Sequence, residues 1–229
     1  MAERTLTLPD EILLLVLTDR TGALLERTRF RYALSGAILT ELMLQERIEL
    51  EPGTGQHLVT VTRRRATGDP TLDDALVQLV KATRRANPEV WVDRFAEHEA
   101  FPLRVCRQLC RKKVLDEHEG RVRLIFRRTV YADLDPAARA EVMGRVRAAV
   151  FGDEPVDVRT ALLTALAGAG DILVSLFDPE ELIPRRERVR SLLAETEMSE
   201  RTRDAALQAE AAVIRATRAA VLAAQESAA

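Results

Sequence analysis

The chain has little of what usually announces a function. Its 229 residues include two cysteines, one tryptophan, two tyrosines and six phenylalanines, and the formal net charge is −2. Two cysteines exclude a disulfide framework for a chain of this size. Cys106 and Cys110 are four apart, on one face of a predicted helix, with no histidine pair at zinc-like spacing, so they read as packed, reduced thiols. The near-neutral balance excludes a global basic field for nucleic acid or membrane, and any anion-binding surface must be local. The apolar run Ile12 to Leu17 is far short of the roughly 20 residues that span a bilayer, so it predicts a buried core helix. The opening residues, MAERTLTLPDE, lack a basic segment followed by an apolar core and a cleavage site. A cytoplasmic protein is therefore expected, with any membrane contact peripheral.

Catalytic signatures are missing as well. There is no GxxxxGK[ST] loop, no GxSxG elbow, no HExxH pair and no Cys/His cluster. His57, His98 and His118 are scattered, and the pairs Asp73-Asp74 and Glu180-Glu181 sit near helix starts, where they complement the helix dipole. The expectation is a non-enzymatic protein with no metal and no cofactor.

What is present is helical periodicity with clear punctuation. Thr7 and Asp10 have the spacing of a capping box, Pro9 suits a first helical turn, and Asp19-Arg20-Thr21-Gly22 follows as a turn. Tyr32 to Gln45 predicts a second helix with Leu34, Ile38 and Leu42 on its apolar face, and Gly36 and Ala37 allow a close neighbour. Arg47 to Glu51 and His57 to Thr62, around Pro52-Gly53-Thr54-Gly55, predict a β-hairpin. Helices follow at Leu72 to Arg85, around Val90, Trp91 and Phe95, and at Leu103 to Lys113, the last carrying Leu103, Cys106, Leu109 and Cys110 inward. Val114-Leu115, a turn over Asp116 to Gly120 and a strand over Val122 to Phe126 make a second helix-then-hairpin unit, so LMLQERIEL and LCRKKVLDE form a weak internal echo. The second half is helical: Asp135-Pro136 opens a helix through Val150, Asp157 caps one through Leu166, Gly168-Ala169-Gly170 makes a break, Asp178-Pro179 opens a helix that meets Pro184 early, and Glu200 to about Ala224 is one long helix.

Function, on these residues, lies with arginine. Only Lys81, Lys112 and Lys113 are lysines, a usage that fits a GC-rich bacterial genome. Arginines cluster at Arg27, Arg29 and Arg31, at Arg63 to Arg65, and at Arg104, Arg107 and Arg111 beside Lys112 and Lys113. Guanidinium binds phosphate through two parallel hydrogen bonds and keeps its charge, so these clusters are candidate phosphate ligands, against the plainer reading of a solvated, acid-balanced face.

The segments LTLPDEILLLVLTDRTG, SGAILTELMLQERIEL, TGDPTLDDAL, the Trp91 helix, the helix before Val114-Leu115, ALLTALAGAGDIL and RRERVRSLL, in this order, resemble the Golgi phosphoprotein three (GPP34) family. The resemblance implies a mainly α fold over residues 1–229: a single domain with a central helix bundle, surrounding amphipathic helices and one or two β-hairpins. It also implies a peripheral adaptor, since eukaryotic members bind phosphatidylinositol-4-phosphate through a basic pocket and hold cytosolic tails of membrane glycosyltransferases. The family's pocket tryptophan falls near Glu26 or Arg27, its first arginine on Ser35 and its arginine pair on Glu99 and Pro102, with Arg104 a match for the neighbouring arginine. Arg27, Arg29, Arg31, Arg104 and Arg107 are therefore the expected headgroup ligands. The partners expected are anionic phospholipid headgroups, cytosolic tails of membrane proteins and a second copy of the chain through the first hairpin. Leu58 and Val59, near that hairpin's tip, are its expected membrane-inserting or self-association residues. The alternative is a winged-helix-like nucleic-acid-binding regulator, since helix then hairpin is also that layout. Tyr32 to Gln45 is too apolar for a recognition helix, and Arg104 to Lys113 suits it better.

Overall fold

The computed structural model describes residues 5–17, 28–52, 56–122 and 126–226. Helix α1 (Leu8–Val16) is buried at every position, as an apolar helix at the centre of a bundle must be. Its N-terminus is held by Asp10, whose Oδ2 accepts from both the amide and the hydroxyl of Thr7 at 2.9 Å. The turn expected at Asp19 to Gly22 lies outside the described residues. Helix α2 (Thr28–Leu44) starts earlier than its periodicity suggests and packs along α1. A Cβ on Gly36 of α2 would lie 2.4 Å from Val213 Cγ2 and 3.0 Å from Leu166 Cδ2, so two further helices press on this one residue. They are α7 (Val158–Ala169) and α11 (Glu200–Glu226).

Strands β1 (Ile48–Pro52) and β2 (His57–Val61) form the first hairpin, antiparallel, with Leu50 opposite Val59. Helices α3 (Pro70–Lys81), α4 (Pro88–Glu97) and α5 (Ala100–Arg111) follow. Capping follows the local chemistry: Asp69 accepts from the amides of Thr71 and Leu72, Asn87 from Val90 and Asp157 from Thr160. The inward face of α5 is Phe101, Pro102, Val105, Cys106 and Leu109, whereas Leu103, expected inward, is 44% exposed. The helix begins three residues before Leu103, and its apolar stripe is set by Phe101 and Val105, each two positions away and so about 160° around the helix from Leu103 at roughly 100° per residue.

The second hairpin departs from expectation. β3 (Leu115–Val122) runs straight through Asp116 to Gly120, and β4 (Phe126–Asp133) pairs with it from Leu115↔Asp133 to Val122↔Phe126. The strand-forming residues Thr129, Val130 and Tyr131 supply a ladder partner that outweighs the polar, turn-like composition of DEHEG. Residues 123–125, part of the strand expected over Val122 to Phe126, lie outside the described residues.

The internal echo has a structural cause. At the end of α2, Arg47 N–H donates to Leu42 C=O and Glu46 N–H to Met43 C=O, both at 2.9 Å; at the end of α5, Val114 N–H donates to Leu109 C=O at 2.9 Å and Lys113 N–H to Cys110 C=O at 3.0 Å. Both are Schellman closures, with Glu46 (φ 53°) and Lys113 (φ 56°) in the left-handed conformation that glycine usually occupies. Each turns a helix directly into a hairpin.

The remaining elements are α6 (Pro136–Phe151), α7, α8 (Ile172–Leu176), α9 (Pro179–Leu182), a 3₁₀ turn over Ile183–Arg185 containing Pro184, α10 (Arg186–Glu195) and α11. The break expected at Gly168 to Gly170 falls at its C-terminal end, where Asp171 takes φ 56° and α8 begins. The fold is mainly α with two hairpins, and one hydrophobic core runs from Leu8 to Val213. Among the described residues no helix is long and apolar enough to cross a membrane.

Candidate functional site

The arginines expected to bind a headgroup start from two helices. On α2, Arg29 Nη1 pairs with Asp171 Oδ2 at 2.5 Å, both side chains being about two-fifths exposed. The contact is fixed by backbone packing, since a Cβ on Gly170 would lie 2.6 Å from Ala33 Cβ and 3.3 Å from Arg29 O. Arg31 has no ion pair among the described residues, and its Nη2 is buried without an acceptor. One turn on, Ser35 is 1% exposed and its hydroxyl donates to Arg31 C=O at 2.7 Å, so the position carrying a family arginine is here a core residue. Beside Arg31, the Tyr32 hydroxyl is pushed above its ordinary value by burial and by the carboxylates of Asp93 and Glu97.

On α5, Arg104 Nη1 pairs with Asp74 Oδ2 of α3 at 3.2 Å, and His98 Nε2 approaches the same oxygen at 3.6 Å while its ring stacks on Phe101. Arg107 is exposed, without an ion pair among the described residues. Pro102 is buried and Glu99 is the exposed residue at the N-cap of α5. Arg29 and Arg104 thus answer to separate acids on separate elements. Arg27 and Glu26 lie outside the described residues.

Strand alternation separates the two hairpin candidates. Val59 is 3% exposed, in the core, and its N–H donates to Ala86 C=O at 2.9 Å; Leu58, one residue away, points to the other face and is half-buried. Val59 is also mid-ladder rather than at the tip, so insertion or self-association through this hairpin would fall to Leu58.

Sequence reasoning missed a buried charge network around the start of α1. Glu11 is 2% and Glu41 5% exposed. Glu11 Oε2 accepts from Arg159 Nε at 3.0 Å, and its other oxygen accepts from Arg145 Nη2. Glu41 Oε2 accepts from Leu8 N–H at 2.8 Å and from Arg159 Nη2 at 3.3 Å. Lys112 Nζ reaches Asp10 Oδ2 at 2.5 Å and Thr5 C=O at 3.0 Å. At the other end of α1, Arg139 of α6 donates to the carbonyls of Leu14 and Leu17. Burial pushes the Glu11 carboxyl above its ordinary range, against the pull of Arg159 and Arg145. These groups are spent on one another, and the network holds the bundle rather than a ligand. No local signal marks Arg139, Arg145 or Arg159, which read as ordinary helix arginines.

Burial pushes the Cys106 thiol up to about 12 and also raises that of Cys110, which favours the protonated thiols over nucleophilic thiolates. Among the described residues no group of three or more His, Cys, Asp or Glu side chains is placed to hold a metal. A groove of about 830 Å³ opens between the end of α2, the first hairpin and the start of α11. Its floor includes Met43, Ile48 and Leu162, its rim Glu46, Glu200 and Asp204, and its wall Thr40, whose buried hydroxyl has no partner.

The sequence model of the Golgi phosphoprotein 3 (GPP34) family matches residues 8–224, nearly the whole chain, and the chain belongs to that family. It is not a family of enzymes.

Proposed function

We propose that this GPP34 protein is a non-enzymatic adaptor, one domain over residues 1–229, that docks reversibly on the cytoplasmic face of a membrane through anionic, phosphoinositide-like headgroups and gathers protein partners there. The family match over residues 8–224 carries the reading. Arg31 and Arg107 support it, as guanidiniums without an ion pair among the described residues. Arg29 and Arg104 contribute less, because Asp171 and Asp74 already balance them. A membrane-adjacent basic residue is worth about 1 kcal/mol on an anionic surface, so a few arginines give salt-sensitive attachment. A partner segment, such as the cytosolic tail of a membrane protein, has a candidate seat in the 830 Å³ groove, which is within the roughly 300–1,000 Å³ of ligand pockets.

Sedimentation with anionic vesicles at low salt, with and without phosphatidylinositol-4-phosphate, tests the lipid role. Retention in the supernatant under both conditions removes it. The nucleic-acid reading has less support at its first helix-then-hairpin unit, because α2 packs against α1, α4, α7 and α11.

A further inference from the structure

An arginine group distinct from those on α2 and α5, and including Arg64 of the Arg63 to Arg65 cluster, lines a cleft beside a buried tryptophan. Trp91 is the chain's single tryptophan, 3% exposed, and its indole nitrogen is buried with no acceptor. It lines a cleft of about 180 Å³ between β2, α3 and the connector from α3 to α4, whose charged lining is Arg64, Arg84 and Arg85 with no carboxylate. The apolar remainder includes Val59, Val61 and Leu79. The walls are fixed to each other: Val59 N–H donates to Ala86 C=O at 2.9 Å, and Asn87, which caps α4, donates from Nδ2 to Gln56 Oε1 at 2.7 Å. Arg85 is oriented by Glu51 and by Thr60 Oγ1 at 3.3 Å, both reached from Nη1, leaving the rest of its fork of donors unengaged. Arg64 and Arg84 are exposed and have no ion pair among the described residues.

We propose that this cleft is a phosphate site, in which Arg64, Arg84 and the free donors of Arg85 bind a phosphomonoester group beside the Trp91 ring. Glu51 already balances Arg85, so the excess charge that matches a phosphate dianion comes from Arg64 and Arg84, with the remaining donors of Arg85 completing the fork. The cleft is smaller than the roughly 300–1,000 Å³ of a pocket for a whole small molecule, so it takes the phosphate and leaves what carries it outside. The phosphate can belong to a lipid headgroup or to a soluble ester; the site uses none of the family-equivalent positions and stands apart from the lipid reading.

The single tryptophan makes the test direct. The indole N–H cross-peak of ¹⁵N-labelled full-length protein is followed during titration with inorganic phosphate, with inositol-4-phosphate, and with vesicles of phosphatidylcholine carrying either phosphatidylserine or phosphatidylinositol-4-phosphate. A saturable shift with phosphate is expected, weakened about tenfold in Arg84→Gln and in Arg64→Gln, the loss expected when a charge-assisted pair is removed. Arg94→Gln is the control: Arg94 lies over the Trp91 ring at 4.9 Å but does not line the cleft, so it should leave the affinity unchanged. Equal weakening in Arg94→Gln, or a peak that no phosphate moves, overturns the site. If phosphate shifts the peak and no vesicle binds, the site stands and the ligand is a soluble ester. If only vesicles with the phosphomonoester lipid shift it beyond phosphate alone, the ligand is the lipid. Vesicle binding with a peak that phosphate never moves removes the site and leaves the adaptor reading intact.

Discussion

Arg159 of α7 donates through Nε to Glu11 Oε2 of α1 at 3.0 Å, joining a residue near the start of the described chain to one 148 positions later. Because Arg159 bridges two buried carboxylates, removing it leaves Glu41 without a guanidinium and Glu11 with Arg145 alone. Arg159→Met should destabilise the fold by about 3 kcal/mol. Urea denaturation checks this, and a cycle with Glu11→Gln should recover part of the loss. Additive losses would mean that the pair is not coupled.

Gly36→Ala should cost about 1–3 kcal/mol by overpacking. The new methyl would meet Val213 Cγ2 at 2.4 Å in a core where Val213 is fully buried. Gly144→Ala, whose Cβ would meet nothing within 4 Å, is the control and should be neutral or slightly stabilising in its helix. The two melting curves decide.

Glu210 of α11 supplies a pH dependence. Burial pushes its carboxyl from the ordinary 4.5 to about 7, so the native state holds this proton more tightly than the unfolded chain does. Its contribution is therefore most favourable below the lower value, is lost as pH rises between the two, and stays lost above about 7. At about 1.4 kcal/mol per unit, the full swing is about 3 kcal/mol. Glu210→Gln should be more stable than the parent at about pH 8 and should flatten this part of the stability profile. Equal stability of parent and variant at both ends of the range would show that Glu210 is solvated.

Among the proposed membrane arginines, the structure ranks the substitutions. Arg107→Gln should weaken vesicle binding about fivefold, from about 1 kcal/mol per basic residue. Arg104→Gln should do less, because its charge is already met by Asp74 at 3.2 Å. Vesicle sedimentation at low salt compares the two, and the reverse order would show that Asp74 releases Arg104 to the membrane.

Much of the framework was legible in the sequence because it is local. The Thr7–Asp10 contact, the caps at Asp157 and before Pro179, the first hairpin and the close approach at Gly36 all depend on residues a few positions apart or on the size of one side chain. The Schellman closures were visible only as an echo, since Glu46 and Lys113 stand where a glycine would have marked the turn. The second hairpin was misread for a similar reason. Whether DEHEG bends or extends depends on whether a partner strand lies beside it, and that partner follows in the sequence rather than in the segment itself.

What the sequence determined by itself is the helical, two-hairpin fold of the GPP34 family and the fact that arginine carries its positive charge. Which arginines are committed was decided only by the tertiary structure. Arg145 and Arg159 are consumed by Glu11 and Glu41, Arg29 and Arg104 by Asp171 and Asp74, and Arg85 by Glu51, while Arg64 and Arg84 line the cleft beside Trp91 without an ion pair among the described residues. The reason is geometric. A guanidinium's partner is set by how helices and strands distant in sequence pack against each other, and hydrophobic periodicity fixes which face of a helix is buried without fixing what that face meets.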